Sequence, residues 1–201
     1  MKIFDRELEV KKFSFFSFED IADFHFQHEF CRSRMYEYPF ALQEIANLYI
    51  ESPVIHNASW GFQDINLVFK TWLDIKYPNT FHSDIKKSTL FQTFLWDITS
   101  FPQESMHDRF DVILNISTLE ECNADHSIVL KNHLIQLKKR GRLIITFAHP
   151  GLQLDSIGKF IDSKIVTPQL KLNPRNSRQE DRKLGLPDEF SVGCLVIDRI
   201  K

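Results

Sequence analysis

The sequence is poor in cysteine, in net charge and in long apolar runs, and each scarcity closes off a class of function. Three cysteines in 201 residues, Cys31, Cys122 and Cys194, are odd in number and far apart. They make no disulfide frame and no CxxC pair, which points to a reducing, cytoplasmic compartment and away from a structural metal site. The 25 basic and 27 acidic residues leave a formal net charge of −2, so no basic field favours nucleic acid. The short clusters Lys138 to Arg142 and Arg175 to Lys183 read as solvated turns or loops. No apolar stretch reaches the ~20 residues of a membrane-spanning helix. The charged segment Lys2 to Lys12 lacks the apolar centre of a signal peptide.

Apolar and aromatic residues are plentiful. Hydrophobic residues make up 43%, enough for the core of one domain at this length. The 19 phenylalanines crowd towards the N-terminus, at Phe13, Phe15, Phe16, Phe18, Phe24, Phe26 and Phe30. Two readings of that arm stand: it folds back over one face of a sheet, or it is a surface for a protein partner. The expected organisation is an N-terminal extension over residues 1–35 and an α/β domain over 36–201.

The most informative stretch begins at Phe110-Asp111-Val112-Ile113-Leu114-Asn115. An amphipathic segment follows, from about Ala124 to Lys139. A basic turn around Gly141 then leads into the apolar run Arg142 to Phe147. Strand, helix, turn and strand in that order form a βαβ unit with both strands buried in a parallel sheet. Ligands bind outside the carboxyl ends of such strands. Further helices are expected over Tyr36 to Tyr49, Phe62 to Leu73 and Leu154 to Ile161. Further strands are expected over Pro53 to Asn57, Thr80 to Ile85, Thr93 to Asp97, Lys164 to Thr167 and Ser191 to Ile200. The last of these should be antiparallel, because a long polar loop, 168–190, replaces the crossover helix that a parallel strand needs.

Leu95-Trp96-Asp97-Ile98-Thr99, Phe110 to Asn115 and Leu137 to Phe147 together resemble a class I S-adenosylmethionine-dependent methyltransferase, over roughly Tyr36 to Ile200. The resemblance implies a Rossmann-like, seven-stranded, mostly parallel sheet with an antiparallel last strand and helices on both faces. It implies S-adenosylmethionine as the cofactor. The glycine-rich turn of that family falls here on Val54-Ile55-His56-Asn57-Ala58-Ser59-Trp60-Gly61, where Gly61 alone remains and Trp60 is bulky. The cofactor residues implied are Asn57, Ser59 and Gly61 at that turn, Asp84 for the ribose hydroxyls, Asp97 for the adenine amino group, and Asn115 at the end of the fourth strand. Asp84 also reads as a helix cap and Asp97 as an Asx-turn. Asp111 is assigned to bonding neighbouring backbone.

A proton acceptor, where one is needed, belongs beyond the strand ends. Glu120, Glu121 and His149 are the candidates, with a helix cap, a solvent-facing carboxylate and a plain turn histidine as the alternatives. Arg34 and Tyr36 precede the first strand of the domain and are candidates for meeting an anionic group. The expected activity is methyl transfer to a small molecule or glycan, at oxygen. A catalytically inactive binding or scaffolding domain, its cleft filled by Trp60, is the alternative, and another nucleotide ligand on the same fold is a third.

Overall fold

The computed structural model describes residues 6–16, 33–61, 64–88, 91–149, 151–164 and 191–201. Seven strands form one sheet: β1 (Leu8–Phe15), β2 (Ile55–Ala58), β3 (Thr80–Asp84), β4 (Phe94–Leu95), β5 (Phe110–Ile116), β6 (Leu137–His149) and β7 (Ser191–Arg199). Four α-helices accompany them: α1 (Arg34–Ala46), α2 (Asp64–Lys76), α3 (His126–Gln136) and α4 (Leu154–Lys164). The strand order is β1-β7-β6-β5-β2-β3-β4. Strands β2 to β6 pair in parallel, and β7 runs antiparallel to both β6 and β1.

Alternation along the buried strands feeds two apolar layers. Phe110, Ile113, Leu143, Ile145 and Phe147 pack with Val129, Leu130 and Leu134 of α3 and Ile157, Phe160 and Ile161 of α4. On the other face Val112, Leu114 and Ile144 pack with Ala41, Leu42 and Ile45 of α1 and Phe69 and Leu73 of α2. Asp111 accepts from the backbone N–H of Val54 at 2.8 Å and from Lys138 at 2.9 Å, the structural role expected of it. Helix α3 stops at Gln136, three residues earlier than the periodicity indicates. The basic segment that follows becomes an irregularity at the start of β6, with Arg140 at φ 66°. Gly141 fits there because a Cβ would lie 2.9 Å from the Lys138 carbonyl oxygen and 3.0 Å from that of Phe110.

The aromatic arm differs from its expected place over a sheet face. Leu8–Phe15 is an edge strand, paired with β7. Its weak periodicity has a physical cause. The register slips between Val10 and Lys12, and one extra residue at Lys11 resets the alternation, so that Leu8, Val10, Phe13 and Phe15 all reach the same core. Phe13 and Phe15 meet Phe147 edge-on, and Phe16 stacks on Tyr36. These three phenylalanines are buried within the chain; Phe18, Phe24, Phe26 and Phe30 lie outside the described residues. At the far end of the expected strand list, Lys164 closes α4, while residues 165–167 and the loop 168–190 lie outside the described residues.

Candidate functional site

Chain order reverses between β2 and β5. From β2 the chain adds β3 and β4 on one side, then returns to lay β5 on the other. A parallel sheet opens a crevice at the carboxyl ends of its strands where the order reverses. Here Thr118, just past β5, directs its hydroxyl to the Ser59 carbonyl oxygen, just past β2, at 3.4 Å. Beside this junction lies a cleft of about 680 Å³, walled by Ser59, Gly61, Asp84, Ile85, Asp97 and Thr118 and completed by the segments 98–99 and 121–124. That volume suits a drug-sized or nucleoside-sized ligand.

The turn after β2 is shaped by two left-handed residues, Ser59 at φ 56° and Gly61 at φ 74°. The Gly61 N–H donates to Asp84 Oδ2 at 3.0 Å, and the Lys86 N–H donates to Asp84 Oδ1 at 3.1 Å. Each carboxylate oxygen has room for a second donor. Asp84 is therefore fixed in direction and still able to accept two hydroxyls. Ile85, 63% exposed, offers an apolar surface beside it. Asp97 closes an Asx-turn by accepting from Thr99 N and Oγ1, both at 2.8 Å on Oδ1, and it also lines the cleft.

Trp60, the bulky residue of the turn, does not enter the cleft. It is buried, its indole N–H donates to Thr93 Oγ1 at 3.1 Å, and its ring packs edge-on to Phe91. The two left-handed residues flanking it turn the side chain towards α2.

Two expected rim residues do not reach the cleft, and strand geometry explains both. Asn57 faces α2: its amide donates to His82 Nδ1 at 3.2 Å, and His82 Nε2 in turn donates to Asp74 at 2.7 Å. Asn115 faces α3 and bonds His133 Nε2 at 2.9 Å. Both lie inside strands rather than beyond them, so the pleat drives each side chain into a packed layer. Their neighbours complete a buried polar layer. His56 bonds Gln136 at 2.9 Å and Ser83 at 2.7 Å, and burial holds both His56 and His133 below the usual histidine range, His133 down to about 3.

The two candidate glutamates part company. Glu121 is exposed and lines the cleft. Glu120 turns towards β6, where Oε1 accepts from Ser117 Oγ at 3.0 Å and from the Ala148 N–H at 2.8 Å. Its Oε2 is buried without a hydrogen-bond partner. Burial, helped by the nearby Glu37 carboxylate, pushes Glu120 up to about 7 against the backbone and Ser117 bonds that lower it. Neither glutamate caps α3; Asp125 does, accepting from Ser127 N at 2.9 Å. His149 ends β6 opposite Ser191, and its side chain lies outside the described residues. Cys122, on the cleft wall, is pushed up to about 11 by burial and by Asp97, Glu120 and Glu121. Among the described residues no cluster of histidine, cysteine or acidic groups suits a metal ion, and no helix is long and apolar enough to cross a membrane.

Sequence reasoning did not single out Ile85 and Asn123 of the cleft wall, or the buried Glu37. Ile85 had a usable signal, an apolar residue directly after the acidic strand end. Glu37 had none, since its burial depends on where α1 docks.

No family model and no curated protein matches this chain. Solved structures do. The Burkholderia thailandensis 1,6-didemethyltoxoflavin-N1-methyltransferase, with 1,6-didemethyltoxoflavin and S-adenosylhomocysteine bound, superposes with a TM-score of 0.56 at 12% identity, over 86% of this chain and 80% of that one. The chain has the class I methyltransferase fold. MccD gives a TM-score of 0.52 at 14% identity, over 83% of this chain and 97% of that one. The [4+2]-cyclase SpnF gives 0.53 at 10% identity, over 80% of each chain. One architecture thus carries more than one reaction, and the reaction has to be argued from the site.

Proposed function

We propose that the cleft binds S-adenosylmethionine and that the protein transfers its methyl group to a small molecule or glycan, at oxygen. The observation that carries this reading is Asp84, pinned by the Gly61 and Lys86 amides with an acceptor site left on each oxygen. A carboxylate so held suits the two hydroxyls of a ribose. Ile85 supplies the apolar contact for an adenine ring, and Asp97 stands at the same wall for its amino group. The wall also has a charge preference. Asp84, Asp97 and Glu121 line it, and among its described residues there is no lysine or arginine. That suits a cationic sulfonium and opposes a nucleoside phosphate, whose binding sites gather basic side chains or helix N-termini. The toxoflavin enzyme, with S-adenosylhomocysteine bound on the same fold, supports the choice of cofactor.

Methyl transfer depends chiefly on holding donor and acceptor in line. An oxygen acceptor must also lose a proton, and Glu121, exposed on the cleft wall, is the carboxylate placed to receive it. The inactive-scaffold alternative rested on an indole filling the cleft, and Trp60 packs elsewhere. Isothermal calorimetry with S-adenosylmethionine and S-adenosylhomocysteine tests the proposal: both bind the folded chain, and Gly61→Trp abolishes both. Absence of heat with either ligand on folded protein would overturn it.

A further inference from the structure

Four buried side chains run through the core from one wall of the cleft to the other. Ser83, immediately before Asp84 at the end of β3, bonds His56 Nε2 through its hydroxyl at 2.7 Å. His56 Nδ1 bonds Gln136 Oε1 at 2.9 Å, and Gln136 Nε2 donates to the Asn132 carbonyl oxygen at 2.9 Å. The Asn132 side-chain amide then donates to the Ile98 carbonyl oxygen at 2.9 Å. Ile98 lines the cleft beside Asp97, and the Ser83 carbonyl oxygen also receives the Trp60 N–H at 3.3 Å. One chain of bonds therefore ties the turn after β2, the end of β3 and the segment after β4 to α3. We propose that Ser83, His56, Gln136 and Asn132 are positioning residues, which fix Asp84 and the Asp97–Ile98 wall relative to each other for the nucleoside end of the cofactor. The inference rests on the S-adenosylmethionine reading above.

The direction of every bond in the chain is determined. Gln136 spends its amide nitrogen on Asn132, so the oxygen it presents to His56 can only accept. His56 Nδ1 must therefore carry the proton, and the bare Nε2 must accept from the Ser83 hydroxyl. Burial, with His133, His82 and Arg109 nearby, holds the ring below the usual histidine range against the Gln136 bond, which raises it. A ring with a second proton could not accept from Ser83. His56, Ser83 and Gln136 are fully buried and Asn132 nearly so, which strengthens these bonds and makes each costly to leave unmade. The neighbouring pair in the same layer is unlike it. Asn115 Oδ1 and His133 Nδ1 are buried without hydrogen-bond partners, whereas His56 and Gln136 each use both of their polar atoms. A fully satisfied chain is a rigid one, and this is the chain that ends on the cleft. None of the four side chains lines the cleft; Ser83 acts through its peptide link to Asp84, and Asn132 acts through Ile98.

The test uses the full chain with Ser83→Ala and Asn132→Leu, which break the chain of bonds at its two ends. Calorimetry well below Tm titrates S-adenosylmethionine and adenosine. Each variant loses roughly 5- to 30-fold in affinity for both ligands alike, because only the nucleoside end is held this way. The double variant is no weaker than the weaker single one, since one break already severs the chain; independent losses would multiply. Gly193→Ala, a packing change where β7 meets β1, is the control: its Tm falls and its affinities do not. A 15N spectrum of the wild type at pH 7, with the His56 ring assigned through its backbone, shows the proton on Nδ1 and needs neither ligand nor variant. Unchanged affinities in both single variants, a loss confined to S-adenosylmethionine, losses that multiply, an equal loss in Gly193→Ala, or a His56 ring protonated on Nε2 overturns the positioning role. Absence of binding by the wild type, with His56 protonated on Nδ1, instead overturns the cofactor reading, and the positioning role falls with it.

Discussion

The backbone N–H of Gly61 reaches Asp84 Oδ2 across 3.0 Å, tying the turn after β2 to the end of β3. A single glycine thus orients the carboxylate that faces the cleft, where the resembling family uses a longer run of them. Asp84→Ala removes the acceptor for Gly61, for Lys86 and for the ribose together. Hydrogen bonds to a charged group contribute about 1.5–3 kcal/mol each, so losing both ribose bonds should lower S-adenosylmethionine affinity on the order of 100-fold or more. Asp84→Asn, which keeps one acceptor, should fall between. Calorimetric titration of the three proteins reads the order directly.

The acidic wall makes a separate prediction about ligand class. A ligand at about 100 times its Kd adds about 2.7 kcal/mol of stability, which in a chain of this size raises Tm by roughly 5–10 °C. S-adenosylmethionine should give such a rise in a thermal melt. ATP and NAD at the same concentration should give none, because their phosphates would meet Asp84, Asp97 and Glu121. A phosphate nucleotide that stabilised the chain as strongly would assign the cleft to another chemistry.

Acid should unfold the protein in two stages. His56 and His133 are held neutral by burial, whereas their unfolded forms titrate near 6.5. As pH falls below that value the unfolded chain takes up two protons that the folded chain refuses, and stability is lost. Glu120 acts in the opposite sense: its folded form, at about 7, holds a proton that the unfolded form binds only near 4.5. Between about pH 6.5 and 4.5 the proton held by Glu120 offsets part of the histidine loss, to which His82 and His126, also lowered, add; below about 4.5 the offset ends and stability falls more steeply. Urea unfolding at stepped pH shows whether the loss steepens below about 4.5. His133→Gln should make the loss shallower on both sides of that value.

Much of the fold was legible in the sequence because the buried parallel strands announce themselves. Val112 to Leu114 and Leu143 to Ile145 are unbroken apolar runs, as strands buried on both faces require. Asp84 and Asp97 were legible because they stand at strand ends, where a side chain leaves the sheet. Asn57 and Asn115 misled for the complementary reason. One residue of difference along a strand decides whether an amide reaches a cleft or a core, and strand ends read from sequence carry an uncertainty larger than one residue. Glu37 was illegible: an acidic residue in the first turn of a helix is favoured by the helix dipole alone, whatever it later touches. The edge strand was hidden by its bulge at Lys11, which breaks the two-residue alternation by which a strand is recognised.

Gly193 marks where that edge is tightest. A Cβ there would lie 2.7 Å from the Phe147 ring and 2.9 Å from the Ser14 carbonyl oxygen. Gly193→Ala should cost about 1–3 kcal/mol, a fall of roughly 3–10 °C in Tm. Gly158, in the middle of α4, has nothing within 4 Å of the corresponding position. Gly158→Ala should instead stabilise by about 0.5–1 kcal/mol. Paired thermal melts distinguish the two sites.

Ser14 and Cys194 touch across the β1–β7 ladder although 180 residues separate them in the chain. Leu8–Phe15 leaves the ribosome some 180 residues ahead of Ser191–Arg199, its sheet partner among the described residues. At about 5–20 residues per second the first strand waits roughly 10–40 s for its mate. Throughout that interval Phe13 and Phe15 have no completed sheet to join. The nascent protein therefore carries an aromatic ribbon without its sheet partner until Ser191–Arg199 has been made, and the β1–β7 ladder closes only after that.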